Sequence, residues 1–113
     1  MDKYIKNMEH SKVLELAVQT EYLPGQIVSK TLAQNSNVSL TLFAFDKGEE
    51  ISTHASDGDA MVVALDGAGR ITIGEEEYHI KAGETLIMPS KTPHAVYAEE
   101  RFKMFLIVVF PGA

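Results

Sequence analysis

From residue 26 to residue 110 the apolar positions follow the two-residue period of β-strands rather than the period of helices. Segment 38–46 is the clearest case, because Val, Leu and Ala alternate there with Thr and Phe. Both faces of that segment are fairly apolar, which indicates that both are covered. The pattern predicts these strands: 26–33, 38–46, 51–55, 59–65, 70–73, 77–80, 85–88, 94–98 and 102–110.

Turn residues separate the predicted strands at short, regular intervals. Asp66-Gly67 and Gly74-Glu75 each predict a tight hairpin between the strands on either side. Residues 99–101 are charged and predict a further turn. No segment is long enough to form the helical crossover of a parallel sheet. The fold class is therefore all-β and antiparallel, a sandwich or a barrel.

Residues 1–22 allow two interpretations. Ser11 is a candidate cap for a short helix, because the apolar residues after it recur at roughly helical spacing. Val13 is β-branched, which favours an extended arm instead. We divide the chain into an N-terminal arm or short helix, 1–22, and a β-domain, 23–113.

Composition excludes several classes of function. The formal charge of -6 argues against nucleic acid and against an anionic membrane surface, which both attract basic proteins. The chain has no cysteine, so disulfides and cysteine-bound metals are excluded. No apolar signal segment precedes the first predicted strand, and the apolar run 105–111 is too short to span a bilayer. We expect a cytoplasmic protein with no nucleic-acid or membrane partner.

Two stretches each deliver a histidine beside a turn. In residues 83–94 a strand stops at Pro89, which has no amide hydrogen, and His94 begins the next strand. In residues 48–67 His54 has a similar setting. A histidine held by a rigid turn is a candidate ligand or acid–base group.

The spacing of these two stretches resembles the two motifs of the cupin family. The first reads Gly48-(five residues)-His54-Ala55-Ser56-(three residues)-Ala60-(six residues)-Gly67, and the second reads Gly83-(five residues)-Pro89-Ser90-Lys91-Thr92-Pro93-His94. The resemblance is to small single-domain cupins. It implies an antiparallel double-stranded β-helix, or jelly-roll barrel, with a ligand pocket inside and often a homodimeric assembly.

In cupins the metal usually sits on two histidines and a glutamate of the first motif and on one histidine of the second. His54 and His94 match two of these ligands, whereas Ser56 and Ala60 stand in place of the other histidine and the glutamate. Lys91 replaces the usual glycine of the second motif. The resemblance therefore implies a pocket lined by His54, Ser56, Ala60 and His94.

The chemistry of this pocket has two open alternatives. In one, His54 and His94 bind a divalent transition metal (iron, manganese, nickel or zinc), with Asp57 or Asp59 as candidate third ligand. Strand alternation points both aspartates away from His54, although a turn at Gly58 can reset the alternation. In the other, no metal is bound and the histidines hydrogen-bond a small molecule directly.

The replacement of a histidine and a glutamate by smaller residues predicts a larger and less polar pocket, suited to a small, partly apolar ligand. The first functional hypothesis is a small-molecule-binding cupin. The alternative is a metal-dependent enzyme of the oxygenase or isomerase type, whose catalytic residues stay unassigned. We also expect a homodimer, because the strand edges and the apolar second face of 38–46 need cover.

Overall fold

A computed structural model of the chain describes residues 3–112. The strands pair antiparallel throughout, which confirms the predicted fold class. Helical residues in the described range form one 3-10 helix, Leu16–Val18, and no helix there is long and apolar enough to cross a membrane. The strands are β1 (Ile27–Gln34), β2 (Val38–Phe45), β3 (Glu50–His54), β4 (Asp59–Ile73), β5 (Glu76–Lys81), β6 (Thr85–Met88) and β7 (His94–Val109).

Two long strands, β4 and β7, build the barrel. They pair with each other over most of their length, and each changes its second partner midway. β4 pairs first with β6 and then with β5, whereas β7 pairs first with β3 and then with β2. The result is a larger layer in the order β1-β2-β7-β4-β6 and a smaller layer in the order β3-β7-β4-β5, as in a jelly roll.

The hairpin predicted at Asp66-Gly67 is wrong, and so is the turn predicted at 99–101. Both segments lie within continuous strands, β4 and β7, at the bend where each passes from one layer to the other. Gly67 has φ +74, and a Cβ on it would lie 1.6 Å from the Arg101 carbonyl oxygen. Glycine is needed there because two strands approach closely, not because the chain reverses. The hairpin predicted at Gly74-Glu75 is confirmed between β4 and β5.

Side chains from both layers meet in one core. The rings of Phe45 and Phe102 lie 5.8 Å apart between centroids, and both residues are fully buried. Burial of such a side chain contributes about 1.5–3 kcal/mol. The core cluster consists of Phe45, Ala60, Val62, Ala64, Ile71, Ile80, Met88, Val96, Ala98, Phe102, Met104 and Val108.

Before β1 the chain forms an extended arm with a single 3-10 turn, rather than a regular helix. The arm crosses the outer face of the larger layer. The N-terminal part of the arm is held by the Lys6 amide, which donates to the Leu32 carbonyl at 2.8 Å. The part of the arm that leads into β1 is held by Lys103 Nζ, which donates to the Ala17 carbonyl at 2.7 Å. The hydroxyl of Tyr22 also holds it by donating to Asp66.

Candidate functional site

The structure brings His54 and His94 together. His54 is the last residue of β3 and His94 is the first of β7, and they face each other across the two strands. Their Nε2 atoms are 3.1 Å apart, and the ring planes meet at 76°. His94 is only 3% exposed, whereas His54 is exposed. The pair therefore has one buried member and one that faces solvent.

Backbone carbonyls orient both rings. Nδ1 of His54 lies 2.9 Å from the Ser52 carbonyl, and Nδ1 of His94 lies 3.2 Å from the Thr92 carbonyl. A carbonyl oxygen can only accept, so each Nδ1 carries the hydrogen and donates it. In the neutral rings each Nε2 then presents a lone pair. Two lone pairs at 3.1 Å repel, and a cation or a shared hydrogen-bond donor between them relieves that repulsion.

The surroundings of His94 favour its neutral form. Burial lowers the pKa of His94, and the neighbouring His54 lowers it further. The hydrogen bond to the Thr92 carbonyl acts in the opposite direction but does not outweigh these effects. Neutral imidazole is the form that binds metal ions.

A hydrogen bond joins the two loops that carry the histidines. Lys91, in the loop after β6, donates its amide hydrogen to the carbonyl of Ser56, in the loop after β3, at 2.7 Å. Lys91 has φ +61, a left-handed conformation that favours glycine. This conformation accounts for the glycine that the cupin pattern has at that position.

Ser56 is held within its own loop rather than at the histidine pair. Its hydroxyl donates to the Gly58 carbonyl at 2.8 Å and accepts from the Gly58 amide at 3.1 Å. Gly58 itself is buried, and a Cβ on it would lie 2.4 Å from the Val109 carbonyl oxygen. The serine hydroxyl thus keeps this tight loop in shape.

Ala60 lies in the core. It is 2% exposed, and its partners across the neighbouring strands are Met88 and Val108, two other members of the core cluster. A cavity of about 490 Å³ lies elsewhere, between the arm and the outer face of the larger layer, with Met8 and Phe105 among its lining residues.

The structure brings neither candidate aspartate to the histidines. Asp59 Oδ1 accepts from the Ser90 amide at 2.8 Å, so this carboxylate supports the loop before His94. Asp57 is exposed and lines a surface cavity with Lys91. Within residues 3–112 no group of three or more His, Cys, Asp or Glu side chains is close enough to hold one ion. The protein donors at this site are two nitrogens.

Sequence reasoning missed the carbonyls that orient the rings. Ser52 and Thr92 each lie two residues before a histidine. Every residue has a backbone carbonyl, so the sequence does not show which carbonyls reach the rings. The hydrogen bond from the Lys91 amide to the Ser56 carbonyl was equally hidden, because it joins two loops that are far apart in the sequence.

A jelly roll in which two motif loops deliver one histidine each to a common point defines a class of protein, the cupins. Residues 41–110 match the cupin domain family. This chain belongs to that family. None of the curated proteins matches it.

Several solved structures are similar to the whole chain. A conserved protein of unknown function from Streptococcus pyogenes is 46% identical, with a TM-score of 0.97, over 99% of this chain and 98% of its own. A cupin superfamily protein from Desulfitobacterium hafniense is 31% identical, with a TM-score of 0.91, over 95% of this chain and 98% of its own. A cupin 2 conserved barrel domain protein from Leptotrichia buccalis is 43% identical, with a TM-score of 0.83, over 85% of this chain and 47% of its own.

Proposed function

We propose that this cupin binds a divalent transition metal through Nε2 of His54 and His94, and that a small-molecule ligand completes the coordination. The observation that carries the proposal is the approach of two Nε2 atoms to 3.1 Å while both Nδ1 atoms donate to carbonyls. Metal-bound histidines commonly donate their other ring hydrogen to a carbonyl in this way.

The two histidine nitrogens can bind one metal ion together, and they occupy only one side of it. Zinc–nitrogen bonds are about 2.0–2.1 Å, so two nitrogens on one ion lie at most about 4.2 Å apart. The separation of 3.1 Å is inside that limit. Imidazole nitrogen suits zinc, iron and nickel. A bound ion would supply a Lewis acid that polarises a coordinated oxygen.

The missing protein ligands indicate the class of small molecule. Two neutral imidazoles leave the charge of a divalent ion uncompensated, and no carboxylate among residues 3–112 joins them. Iron sites often combine two histidines with one carboxylate. We infer that the ligand brings the carboxylate itself, as a small organic acid whose oxygens chelate the ion. Exposure of His54 leaves solvent access for such a ligand.

A metal-dependent enzyme is the second candidate function. The observation that favours it is the low number of protein ligands, which leaves room for a substrate and for a second reactant such as water or oxygen. His54 and His94 would hold the ion in either case. The enzyme would convert its ligand into a product, whereas the binding protein would not.

Isothermal titration calorimetry with zinc chloride tests the proposal on protein purified without a histidine tag. We expect one ion per chain, and tighter binding when oxalate is present as a chelating acid. His54→Ala and His94→Ala should each lower the affinity at least about 100-fold. Ser56→Ala, which changes a hydroxyl bound within its loop, serves as the matched control and should bind as the wild type does.

Thermal denaturation with oxalate separates the metal-bound from the metal-free alternative. Oxalate should raise the melting temperature only when zinc is present. An equal increase in protein treated with EDTA would mean that the histidines bind the acid directly. Absence of zinc binding to the wild-type chain, or equal binding to both alanine variants, would contradict the proposal.

A further inference from the structure

Hydroxyl groups line part of the inner face of β1 and β2. Phe43 and Phe45 of β2 point into the barrel, because Phe45 belongs to the core cluster and the two rings lie 5.9 Å apart. Side chains of a strand alternate between its two faces, so Thr41 and Ser39 share this inner face. Thr31 of β1 lies directly opposite Thr41 and shares it too. We call Thr31, Ser39 and Thr41 the hydroxyl strip.

The hydroxyl strip lies at the end of the barrel that holds the histidine pair. Ser39 pairs with Val108, and Val108 pairs with Ala60 near the start of β4. Residues 55–58 alone connect His54, the last residue of β3, to the start of β4. The parts of β2, β3 and β4 that carry these residues are therefore neighbours.

Both histidines face the interior of the barrel. His94, Val96 and Ala98 lie on one face of β7, because they are two residues apart, and Val96 and Ala98 belong to the core cluster. His94 therefore points inward from the smaller layer. Nε2 of His54 lies 3.1 Å from Nε2 of His94, so the tips of both rings are at the same point. The histidine pair and the hydroxyl strip face one interior space from opposite layers.

Neither the strip nor the histidine pair is satisfied by protein groups. Within residues 3–112 the hydroxyls of Ser56 and Thr85 each donate to a backbone carbonyl, whereas no hydroxyl of the strip bonds to a protein group. The strip residues are partly exposed, so a ligand can reach them. His94 is 3% exposed, and the lone pair of its Nε2 meets only the lone pair of His54. A buried nitrogen without a donor and unpaired hydroxyls opposite it indicate a bound molecule.

We propose that the hydroxyl strip sets the specificity of the histidine site, and that the organic acid bound there is a polyhydroxylated monocarboxylic acid, such as a sugar acid. This inference rests on the proposed function, in which the carboxylate of the acid binds the ion. A hydroxyl both donates and accepts, so the strip matches ligand hydroxyls, which do the same. The strip side chains are uncharged, so a second carboxylate placed against them would lose its hydration without compensation.

Apolar side chains beside the strip suit the carbon chain of such an acid. Leu106 pairs with Thr41 across β7 and β2, and it is a partly buried residue packed against the core. Phe43 lies two residues from Thr41 on the same face and is partly buried as well. Ligand sites commonly combine an apolar wall with a few polar groups that fix the orientation of the ligand.

Two acids with the same carbon chain test the role of the strip. Gluconate and 2-hydroxyhexanoate share the carboxylate and the adjacent hydroxyl that chelate an ion, but only gluconate carries further hydroxyls. Calorimetric titration of each acid into zinc-loaded protein measures both affinities. We expect gluconate to bind at least about 10-fold more tightly, because several hydrogen bonds of ordinary strength add up to that ratio.

Variants show whether the strip causes this preference. Thr41→Val and Ser39→Ala each remove one hydroxyl and should lower the ratio of gluconate affinity to 2-hydroxyhexanoate affinity about 3- to 10-fold. Thr72→Val is the matched control and should keep the ratio. Thr72 is partly exposed like Thr41, but it lies on the outer face of β4 between the inward residues Ile71 and Ile73. A partly unfolded variant would bind both acids less, which leaves the ratio unchanged.

Two results would overturn the inference while zinc binding stands. The first is zinc-loaded protein that binds both acids equally or binds neither. The second is a preference for gluconate that Thr41→Val and Ser39→Ala both leave unchanged. Absence of zinc binding to the wild-type chain would instead overturn the proposed function, and with it the inference that rests on it.

Discussion

The two motif histidines and the two substituted motif positions, Ser56 and Ala60, have different roles in the structure. His54 and His94 place their Nε2 atoms 3.1 Å apart and leave both lone pairs available. Ser56 uses its hydroxyl within its own loop, and Ala60 is part of the core. A motif position can therefore keep its place in the fold without supplying a ligand. The fold of a cupin therefore does not determine the chemistry of its site.

Restoration of the family's glutamate gives the largest expected effect. Ala60→Glu puts a carboxylate among core side chains, and in metal-free protein it should lower the free energy of unfolding by about 3 kcal/mol or more. Urea denaturation measures the loss. Ala55→Glu is the matched control, because Ala55 is exposed, and it should change stability by less than about 0.5 kcal/mol.

The same denaturation with added zinc tests whether the new carboxylate reaches the metal site. If zinc returns the lost stability of Ala60→Glu, the carboxylate reaches the histidine pair. Equal stabilities of Ala60→Glu and Ala55→Glu without metal would instead show that position 60 is open to solvent, contrary to its observed burial.

Removal of the serine hydroxyl should have an intermediate effect. Ser56→Ala takes away the acceptor of the buried Gly58 amide and should lower the free energy of unfolding by about 1–2 kcal/mol. Zinc affinity should stay within about 3-fold of the wild type, because this hydroxyl is bound within its own loop. Ser52→Ala keeps the carbonyl that orients His54 and serves as control. A large loss of zinc affinity in Ser56→Ala would place the hydroxyl at the site.

The pH dependence of stability should show the smallest effect. Burial and the neighbouring His54 keep the pKa of His94 in the folded chain below the ordinary value of about 6.5. The unfolded chain therefore binds this proton more readily. In metal-free protein the free energy of unfolding should fall as the pH drops below about 6.5, until His94 is protonated in the folded chain too.

Denaturation of wild type and His94→Gln across this pH range measures the contribution of His94. As the pH falls, the free energy of unfolding should decrease more for the wild type than for His94→Gln. Parallel curves would contradict the assignment of a low pKa to His94.

Most of the fold could be predicted from local patterns, and the failures have one physical cause. Alternating apolar residues predicted the strands, and Gly74 correctly marked a hairpin. Gly67 carries the same local signal but marks a bend, because the strand that contains Arg101 passes close beside it. A local glycine signal does not show which distant strand will approach it.

The site was less predictable than the fold. The motif spacing led to His54 and His94, which the structure brings together. The position of Ala60 between Met88 and Val108 was not predictable, because these neighbours are set by strand register rather than by residue type. The carbonyl partners of the two histidines depend on backbone geometry in the same way.

The metal content of the chain shows whether His54 and His94 bind an ion. Protein purified without a histidine tag would be dialysed against equal amounts of manganese, iron(II), nickel and zinc salts, desalted, and measured by elemental analysis. Our account predicts about one equivalent of a single metal in the wild type, and its loss in the double variant His54→Ala/His94→Ala. Less than about a tenth of an equivalent in the wild type, or the same content in both proteins, would contradict it.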